Sequence, residues 1–377
     1  MIGRVARDGR IKQTEGLNDT GNLKVKRVLI YRLGSLGDTV VALPALHLVA
    51  RAFPTAERRM LTNVPVNSKA PSAAVVLDRT GLVDSYFEYP LKTRGLRELV
   101  SLWWGLVLWR PQVVVYLAAS RGIDAAKRDA RFFKLCGIPR QVGVPLTDAM
   151  QKNLLAEGDG SLEPEANRLL RNLSELGDGR VNSPASWDLR LTQAEITKAR
   201  EFLAPSEGMA LIAASVGTKV QSKDWGAANW GELLLEMAKL YQGYALVMCG
   251  AAEEFAVSEA AAEGWSATSP NTVINLCGKL TPRESAAVFA EAKIFIGHDS
   301  GPMHLAAAVQ TPCVAIFSAR TKPRVWFPYG TQHRVIYHQV DCWGCRLETC
   351  VVEKKKCLTS ISVAEVMAEV GTVLGQS

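Results

Sequence analysis

The sequence predicts an α/β protein made of two successive domains, each built on a parallel sheet. The first observation is length, because 377 residues exceed what one hydrophobic core usually organises. The second is a repeated alternation of short apolar runs with helical patterns, which is typical of parallel sheets. The third is a stretch rich in Gly, Asp, Asn, Ser and Pro at 177–189 that separates the two series. We therefore expect one domain over 25–182 and another over 183–358.

The first series opens with an apolar run at 27–33, which a glycine loop and a helical pattern through Ala52 follow at once. A strand, a glycine loop and a helix in this order begin a parallel α/β domain. Residues 1–24 lack periodicity and are predicted to form a flexible leader. Further strands are predicted at 58–61, 83–86, 113–117 and 141–144, with helices at 95–108 and 123–135.

The second series starts with a strand at 209–213 and ends with a strand at 313–317, with helices between the strands. A cysteine-rich loop, 342–357, follows the second series. The final segment, 359–377, carries an amphipathic pattern that predicts a C-terminal helix, with the first domain as one surface on which it could pack.

Composition and charge limit the classes of function. The chain is 48% hydrophobic and 21% charged, as in globular proteins, and its net charge of +7 favours an anionic partner such as a phosphorylated substrate or a membrane face. Nucleic acid is the least favoured partner, because no binding module is recognisable. The first 21 residues show no secretory signal, and the longest apolar stretch, 102–108, is too short to span a bilayer. We therefore expect a cytoplasmic protein.

The turn after a predicted strand at 293–296 is a candidate anion site. An Ala-rich helix starts there, with Pro302 near its first turn. Free backbone N–H groups and the helix dipole attract anions at such a position, and Gly301 allows a phosphate to approach the backbone. His304 lies about one turn into the helix, where it can face the same ligand. The alternative for His304 is a hydrogen-bonded core histidine.

Three motifs in order resemble glycosyltransferase family 9, the family of bacterial lipopolysaccharide heptosyltransferases. They are 32–40 with Leu43-Pro44-Ala45, then Lys223-Asp224-Trp225 with Trp230, then 299–304. The resemblance runs from about residue 26 to the end. It implies the GT-B fold, with two Rossmann-like domains facing across a cleft, the acceptor mainly on the first and the nucleotide sugar on the second. It also implies metal-independent transfer with inversion at the anomeric carbon.

The resemblance also assigns roles to residues. Asp38, at the C-terminal end of the first strand, is the candidate catalytic base, although it could also cap the following helix. Lys223 is the candidate cation for the departing diphosphate, with Lys219 as a competitor and a solvated loop lysine as the alternative. Asp299 is expected to hold sugar hydroxyls or to fix its loop. The substrate-binding residues predicted in all are Ser35, Gly37, Thr218, Glu253, Leu280, Asp299, Ser300, Gly301, Pro302 and His304.

Two of these residues are assigned to the nucleoside. Glu253 or Glu254 follows a strand and could accept the ribose hydroxyls, and Glu253 is preferred. Leu280 is predicted to contact the adenine ring, although a plain core leucine fits equally well.

Two surfaces of the first domain are candidate contacts with larger partners. Arg121, Lys127 and Arg131 decorate a predicted helix and could bind an anionic acceptor, with a solvated helix face as the alternative. The tryptophans at 103, 104 and 109, with the basic net charge, could rest on the inner membrane as a peripheral contact. The alternative for these tryptophans is a place in the core.

The cysteines fall into two groups. Cys342, Cys345, Cys350 and Cys357 are spaced closely enough to wrap zinc or an iron–sulfur cluster, and the alternative is a set of thiols without metal. The other four lie in apolar segments and are predicted to be core residues. No cofactor is expected for catalysis.

The sequence therefore predicts an inverting glycosyltransferase that acts on a lipopolysaccharide-core or other envelope oligosaccharide. The leading donor is ADP-heptose. The open alternatives are a family 9 transferase using another nucleotide sugar, a nucleotide-sugar epimerase or hydrolase on the same scaffold, and a binding protein without turnover.

Overall fold

The computed structural model describes residues 25–64, 72–90, 95–155, 161–270 and 272–375. The expected leader at 1–24 lies outside these residues.

The first domain is built on a five-stranded parallel sheet with the strand order β3-β2-β1-β4-β5. Its strands are β1 Arg27–Tyr31, β2 Glu57–Asn63, β3 Ser85–Tyr89, β4 Val113–Tyr116 and β5 Arg140–Val142. Its helices are α1 Leu36–Val41, α2 Leu43–Ala52, α3 Ala74–Leu77, α4 Leu96–Trp109, α5 Ile123–Leu135, α6 Asp148–Gln151 and α7 Glu165–Asn172.

The second domain is built on a six-stranded parallel sheet with the order β11-β10-β9-β6-β7-β8. Its strands are β6 Ala210–Ser215, β7 Tyr244–Met248, β8 Val273–Asn275, β9 Ile294–His298, β10 Cys313–Phe317 and β11 Arg334–Tyr337. Its helices are α8 Gln193–Leu203, α9 Ala227–Leu240, α10 Phe255–Thr268, α11 Pro282–Glu291, α12 Gly301–Ala308, α13 Lys356–Thr359 and α14 Val363–Leu374.

The strands predicted from apolar runs are all present, with ends that shift by a few residues. Helices cover both faces of each sheet, so β9 and β10 are buried along their whole length and appear in the sequence as continuous apolar runs. Strand β11 was not predicted, because it is short and only Ile336 is buried. The helical pattern expected through Ala52 is two helices, since α1 ends at Val41 and α2 begins with Pro44 in its first turn.

The C-terminal helix packs on the second domain, which corrects the expectation that it could return to the first. Helix α14 contacts α9 and strands β9, β10 and β11. Its buried face, formed by Val363, Val366 and Val370, joins the core that contains Trp225 and Trp230.

The domains meet where the N-terminal ends of α1 and α12 touch. Glycines allow this approach, because a Cβ at Gly301 would lie 2.6 Å from Leu36 Cδ2 and a Cβ at Gly37 would lie 2.9 Å from His304 Cδ2. A second contact involves Arg283 of α11, which is buried and donates to the carbonyl oxygen of Val76 in α3. These contacts bring the loop after β1 next to the loop after β9.

Candidate active site

The polar residues of the site follow the carboxyl ends of four parallel strands. Asp38 follows β1, Lys223 follows β6, Glu254 follows β7 and Asp299 follows β9. Ligands of open α/β sheets bind at this edge. Because α1 and α12 are in contact, the edges of the two sheets form one site.

Two cavities meet in this site. The first, of about 440 Å³, is lined by Asp38 and Ser120 of the first domain and by His304 and Arg320 of the second. The second, of about 370 Å³, extends over the second sheet to Glu254. The residues that line both cavities are Ser35, Gly37, Lys223, Asp299, Ser300 and Gly301.

Asp38 is the N3 residue of the capping box that begins α1, and it also lines the first cavity. Its Oδ2 accepts from the Ser35 N–H and from Ser35 Oγ, each at 2.7 Å. Its Oδ1 lies 3.9 Å from Nη2 of the buried Arg32. Gly34 has a φ of +137° and a Cβ there would lie 2.6 Å from Asp38 Cβ, so the turn requires glycine. The carboxylate is therefore held in place and remains 25% exposed.

Lys223 and Asp299 form an ion pair at the junction of the cavities. Lys223 Nζ lies 2.7 Å from Asp299 Oδ2 and donates to the Asp299 carbonyl oxygen at 2.9 Å. The side chains are 18% and 7% exposed. Because water screens such a pair only weakly, each charge strongly favours the other. Asp299 thus fixes its loop and the position of the lysine.

His298 is a positioning residue that sequence reasoning missed. It is fully buried, and its Nε2 lies 3.1 Å from the backbone nitrogen of Trp225 and 3.3 Å from Nε1 of Trp230. Burial lowers the pKa of His298 to about 4, so the ring is neutral and Nε2 can accept both N–H groups. The ring thereby anchors the segment after Lys223. A histidine directly before Asp299 with two tryptophans upstream was the available signal.

The start of α12 presents polar groups to both cavities. Ser300 is the N-cap residue, and its Oγ is buried without a hydrogen-bond partner among the described residues. His304 lines the first cavity, and burial lowers its pKa to about 4, so it is neutral near pH 7. Pro302 and Gly301 line the second cavity. The predicted anion site at the start of α12 therefore borders both cavities. The Ser300 hydroxyl there has no hydrogen-bond partner among the described residues.

At the far end of the second cavity, Glu254 is better placed for the ribose contact than Glu253, the residue preferred from the sequence. Glu254 lines the cavity and accepts from the Ala251 N–H at 2.9 Å, whereas Glu253 is exposed outside it. Burial raises the pKa of the Glu254 carboxyl. The two glutamates are the last two residues of a 3₁₀ turn, Ala252–Glu254, and the direction of that turn decides which one faces inward. Leu280 and Thr218 line the same cavity.

The basic residues predicted for acceptor binding do not line either cavity. Arg121 forms an ion pair with Asp129 and donates to the hydroxyl groups of Tyr31 and Tyr116 at 3.1 Å. Lys127 and Arg131 are exposed on α5. Neither side chain is among the described residues that line the two cavities. The first cavity instead carries Arg320 and Arg346, from outside the predicted set.

The four clustered cysteines line one small cavity together with Ser222 and Arg320. The Lys355 N–H, which donates to Cys350 Sγ at 3.2 Å, lowers the pKa of that thiol. Within the described ranges, no three His, Cys, Asp or Glu side chains are arranged to hold a metal ion. The four thiols therefore lie near one another, but within the described residues they do not form the predicted metal site. The other four cysteines are buried, as expected of core residues.

The three tryptophans of α4 divide between core and surface. Trp109 is buried, Trp103 is half-buried and bonds to the Leu135 carbonyl oxygen, and Trp104 is 53% exposed. Trp104 continues a stripe of exposed apolar residues with Val100 and Leu108, four positions to either side. In the described part of the chain, no helix is long and apolar enough to cross a membrane.

Comparison with known sequences connects this site to characterised proteins. The model of glycosyltransferase family 9 (heptosyltransferase) matches residues 167–356. Lipooligosaccharide heptosyltransferase 2 of Campylobacter jejuni is 32% identical over 106 residues, which is 28% of this chain and 33% of that protein. The match thus spans about a third of that relative's length. Lipopolysaccharide heptosyltransferase 1 of Pseudomonas aeruginosa is 25% identical over 87% of this chain and 88% of its own.

Solved structures give the same result for the fold. A glycosyl transferase family 9 protein from Veillonella parvula superimposes with a TM-score of 0.70 at 18% identity, over 94% of this chain and 99% of that one. The E. coli ADP-heptose lps heptosyltransferase II superimposes with a TM-score of 0.65 at 18% identity, over 93% and 99%. The two parallel-sheet domains thus have the GT-B arrangement predicted from the sequence.

Proposed function

Because this chain belongs to glycosyltransferase family 9, we propose that it transfers a sugar from a nucleoside diphosphate to a lipopolysaccharide-core or other envelope oligosaccharide. The proposed donor is ADP-heptose, the sugar nucleotide in the name of the similar E. coli structure. The observation that carries the proposal is the meeting of two cavities at Lys223 and Ser300, with the Asp38 carboxylate on the wall of the first.

The second cavity fits the nucleotide end of the donor. Glu254 lies where a carboxylate can accept the ribose hydroxyls, and Leu280 supplies an apolar wall for the base. Between them and the first cavity lie the free N–H groups at the start of α12 and the unpaired Ser300 hydroxyl. Such groups favour a diphosphate. With the donor bound in this way, its anomeric carbon would lie at the junction of the cavities.

Lys223 would change partners when the donor binds. Its Nζ is held by Asp299 at 2.7 Å, and a diphosphate at the same junction offers a second set of anionic oxygens. The ammonium can then offset the charge that develops on the departing phosphate. Asp299 keeps the lysine in position and can accept sugar hydroxyls.

Asp38 is the group proposed to receive the acceptor proton. As the acceptor oxygen forms its bond to the anomeric carbon, its proton passes to Asp38, and the bond between that carbon and the phosphate oxygen breaks to release ADP. Attack from the face opposite the diphosphate inverts the anomeric carbon. The neutral His304 borders the same cavity and can donate or accept a hydrogen bond there without adding charge.

The exposed stripe on α4 is proposed as a peripheral membrane contact, since the acceptor class is lipid-linked. Val100, Trp104 and Leu108 are 58%, 53% and 62% exposed, and Leu135 of α5 is 74% exposed. Apolar and tryptophan side chains of this kind insert into the interface of a bilayer.

Flotation with anionic vesicles should recover the protein, and Trp104→Ser with Leu108→Ser should reduce recovery at unchanged thermal stability. Equal recovery of the double variant would exclude this surface.

Metal is not proposed to take part in transfer, because Lys223 and the α12 N–H groups supply the positive charge that the diphosphate needs. Transfer should continue at an unchanged rate in EDTA. A loss of rate that added Mg²⁺ or Zn²⁺ restores would contradict this.

The decisive experiment measures donor binding and turnover separately. Thermal-shift screening against ADP-, GDP-, UDP- and dTDP-sugars should select ADP-heptose. Release of ADP should then require a core oligosaccharide acceptor, and Asp38→Asn should bind donor but not turn over. Rapid release of free sugar without acceptor would favour a hydrolase, and a changed donor sugar would favour an epimerase. Donor binding without turnover under any condition would indicate a binding protein.

A further inference from the structure

The first cavity contains two arginines whose charge is not offset by a carboxylate of the described residues. The three carboxylates of this cavity are each paired with a basic side chain: Asp38 with Arg32 at 3.9 Å, Glu165 with Arg168 at 2.6 Å and Asp299 with Lys223 at 2.7 Å. Arg320 and Arg346 line the same cavity, and neither forms an ion pair within the described ranges. Among the described residues, this cavity therefore has two positive charges that no carboxylate pairs with.

Arg320 is held in place by the loop that carries Arg346. Its Nε donates to the Leu347 carbonyl oxygen and its Nη2 to the Arg346 carbonyl oxygen, each at 2.9 Å. In return, the Arg346 N–H donates to the Arg320 carbonyl oxygen at 2.9 Å. Two of the three guanidinium nitrogens thus donate to the protein, while the two N–H groups of Nη1 have no acceptor among the described residues.

Arg346 and Thr321 add further unsatisfied donors. The Arg346 side chain is exposed and makes no hydrogen bond within the described ranges. Thr321 Oγ1 is buried without a hydrogen-bond partner there, although Thr321 lines the cavity. Arginine donors arranged side by side match the oxygens of phosphate and carboxylate groups, which they bind with two hydrogen bonds each.

We propose that Arg320, Arg346 and Thr321 form a subsite for an anionic group of the acceptor, either a phosphate monoester or a sugar carboxylate. This inference rests on the proposed transfer, because it requires the first cavity to hold the acceptor. It assigns part of acceptor recognition to the second domain, through the segment after β10 and the cysteine-rich loop. The basic face of α5 is then a solvated surface.

Transfer kinetics test the subsite with matched acceptors. The acceptors are a core oligosaccharide as isolated, the same material after phosphatase treatment and the same material after amidation of its carboxylates. Arg346→Gln should raise KM for the intact acceptor about tenfold, with kcat and the Kd for ADP within twofold of wild type. The effect should vanish for the one acceptor whose recognised group has been removed. Lys322→Gln removes a positive charge from an exposed position outside the cavity and should leave KM unchanged.

The result that would overturn the subsite is an unchanged KM in Arg346→Gln, or a rise of equal size for all three acceptors. Arg346→Lys should keep part of the affinity, which a purely structural role would not predict.

A second measurement does not depend on turnover. Phenylglyoxal labelling of ADP-saturated protein should be slowed at Arg346 by inorganic phosphate or by glucuronate, but not at the exposed Arg97. If neither phosphate nor glucuronate protects Arg346, the subsite is refuted even if transfer occurs. Protection without transfer to any acceptor would refute the proposed function and leave the anion site standing.

Discussion

The variant Asp38→Asn distinguishes the two roles of this carboxylate, as part of the helix cap and as the proposed base. The substitution keeps the shape of the side chain and one oxygen, which can still accept from the Ser35 N–H and Oγ that now lie at 2.7 Å. It removes the charge that faces Arg32 at 3.9 Å. Arg32 remains fully buried and still donates to the Leu117 and Asp38 carbonyl oxygens. Most of the local structure should therefore survive.

The magnitudes make the two effects distinguishable. Loss of a capping interaction costs about 0.5–2 kcal/mol, and an asparagine oxygen at the N3 position can still accept from Ser35, so the variant should lose less than about 1 kcal/mol. A positioned base contributes about 10²- to 10⁴-fold, which is about 3–5 kcal/mol of transition-state stabilisation. The expected result is therefore a small change in the free energy of unfolding with a loss of kcat of at least about a hundredfold.

The assay pairs urea unfolding with acceptor-dependent release of ADP. Asp129→Asn is the matched control, because Asp129 is a carboxylate that is also paired with an arginine but is buried and lies outside both cavities. It should lose about 1–3 kcal/mol of stability and keep kcat. If Asp38→Asn retains kcat within about tenfold of wild type, Asp38 is only a cap and the proposed mechanism is wrong.

Three further predictions follow from the contacts of the site. Lys223→Met should weaken ADP binding and lower kcat, together about a hundredfold, because the diphosphate loses its cation; an unchanged Kd in calorimetry would contradict this. Glu254→Gln should weaken ADP binding about tenfold while Glu253→Gln does not, and the opposite order would restore the preference drawn from the sequence. Acidification should destabilise the protein, because the folded pKa of His298 is about 4 against 6.5 for the free side chain. The stability that the neutral His298 contributes is complete above pH 6.5 and is lost as the pH falls toward 4, by about 2 kcal/mol at pH 5. In urea titrations, His298→Gln should therefore lose less stability than wild type between pH 7.5 and 5. An equal loss in the two proteins would rule out this histidine.

Several features of the site depend on short-range sequence order and could be predicted from it. Asp38 follows Gly34 and Gly37 within one turn, so a strand, a tight loop and a helix start were readable in a single stretch. The same holds for 299–304, where Pro302 marks the first turn of α12. Both stretches lie at the carboxyl ends of parallel strands, which restricts where a ligand can bind.

Other features depend on the direction of side chains over one or two residues. Glu253 and Glu254 are neighbours, and only the path of the 3₁₀ turn decides which one enters the second cavity. The helix that carries Lys127 and Arg131 was predicted from its period, but no period tells which side of a domain a helix faces. His298 became visible as an anchor only when two tryptophans from another segment met its Nε2.

The sequence by itself determined the α/β architecture, the two domains and the motifs after β1, β6 and β9, because apolar periodicity and turn chemistry act over a few residues. Only the tertiary structure decided that Lys223 pairs with Asp299, that α14 stays with the second domain, and that Arg320 and Arg346 share a cavity with Asp38. These facts join residues far apart in the chain, and their positions depend on how α1 and α12 pack against each other. That packing depends on the space left by Gly37 and Gly301, which no local pattern measures.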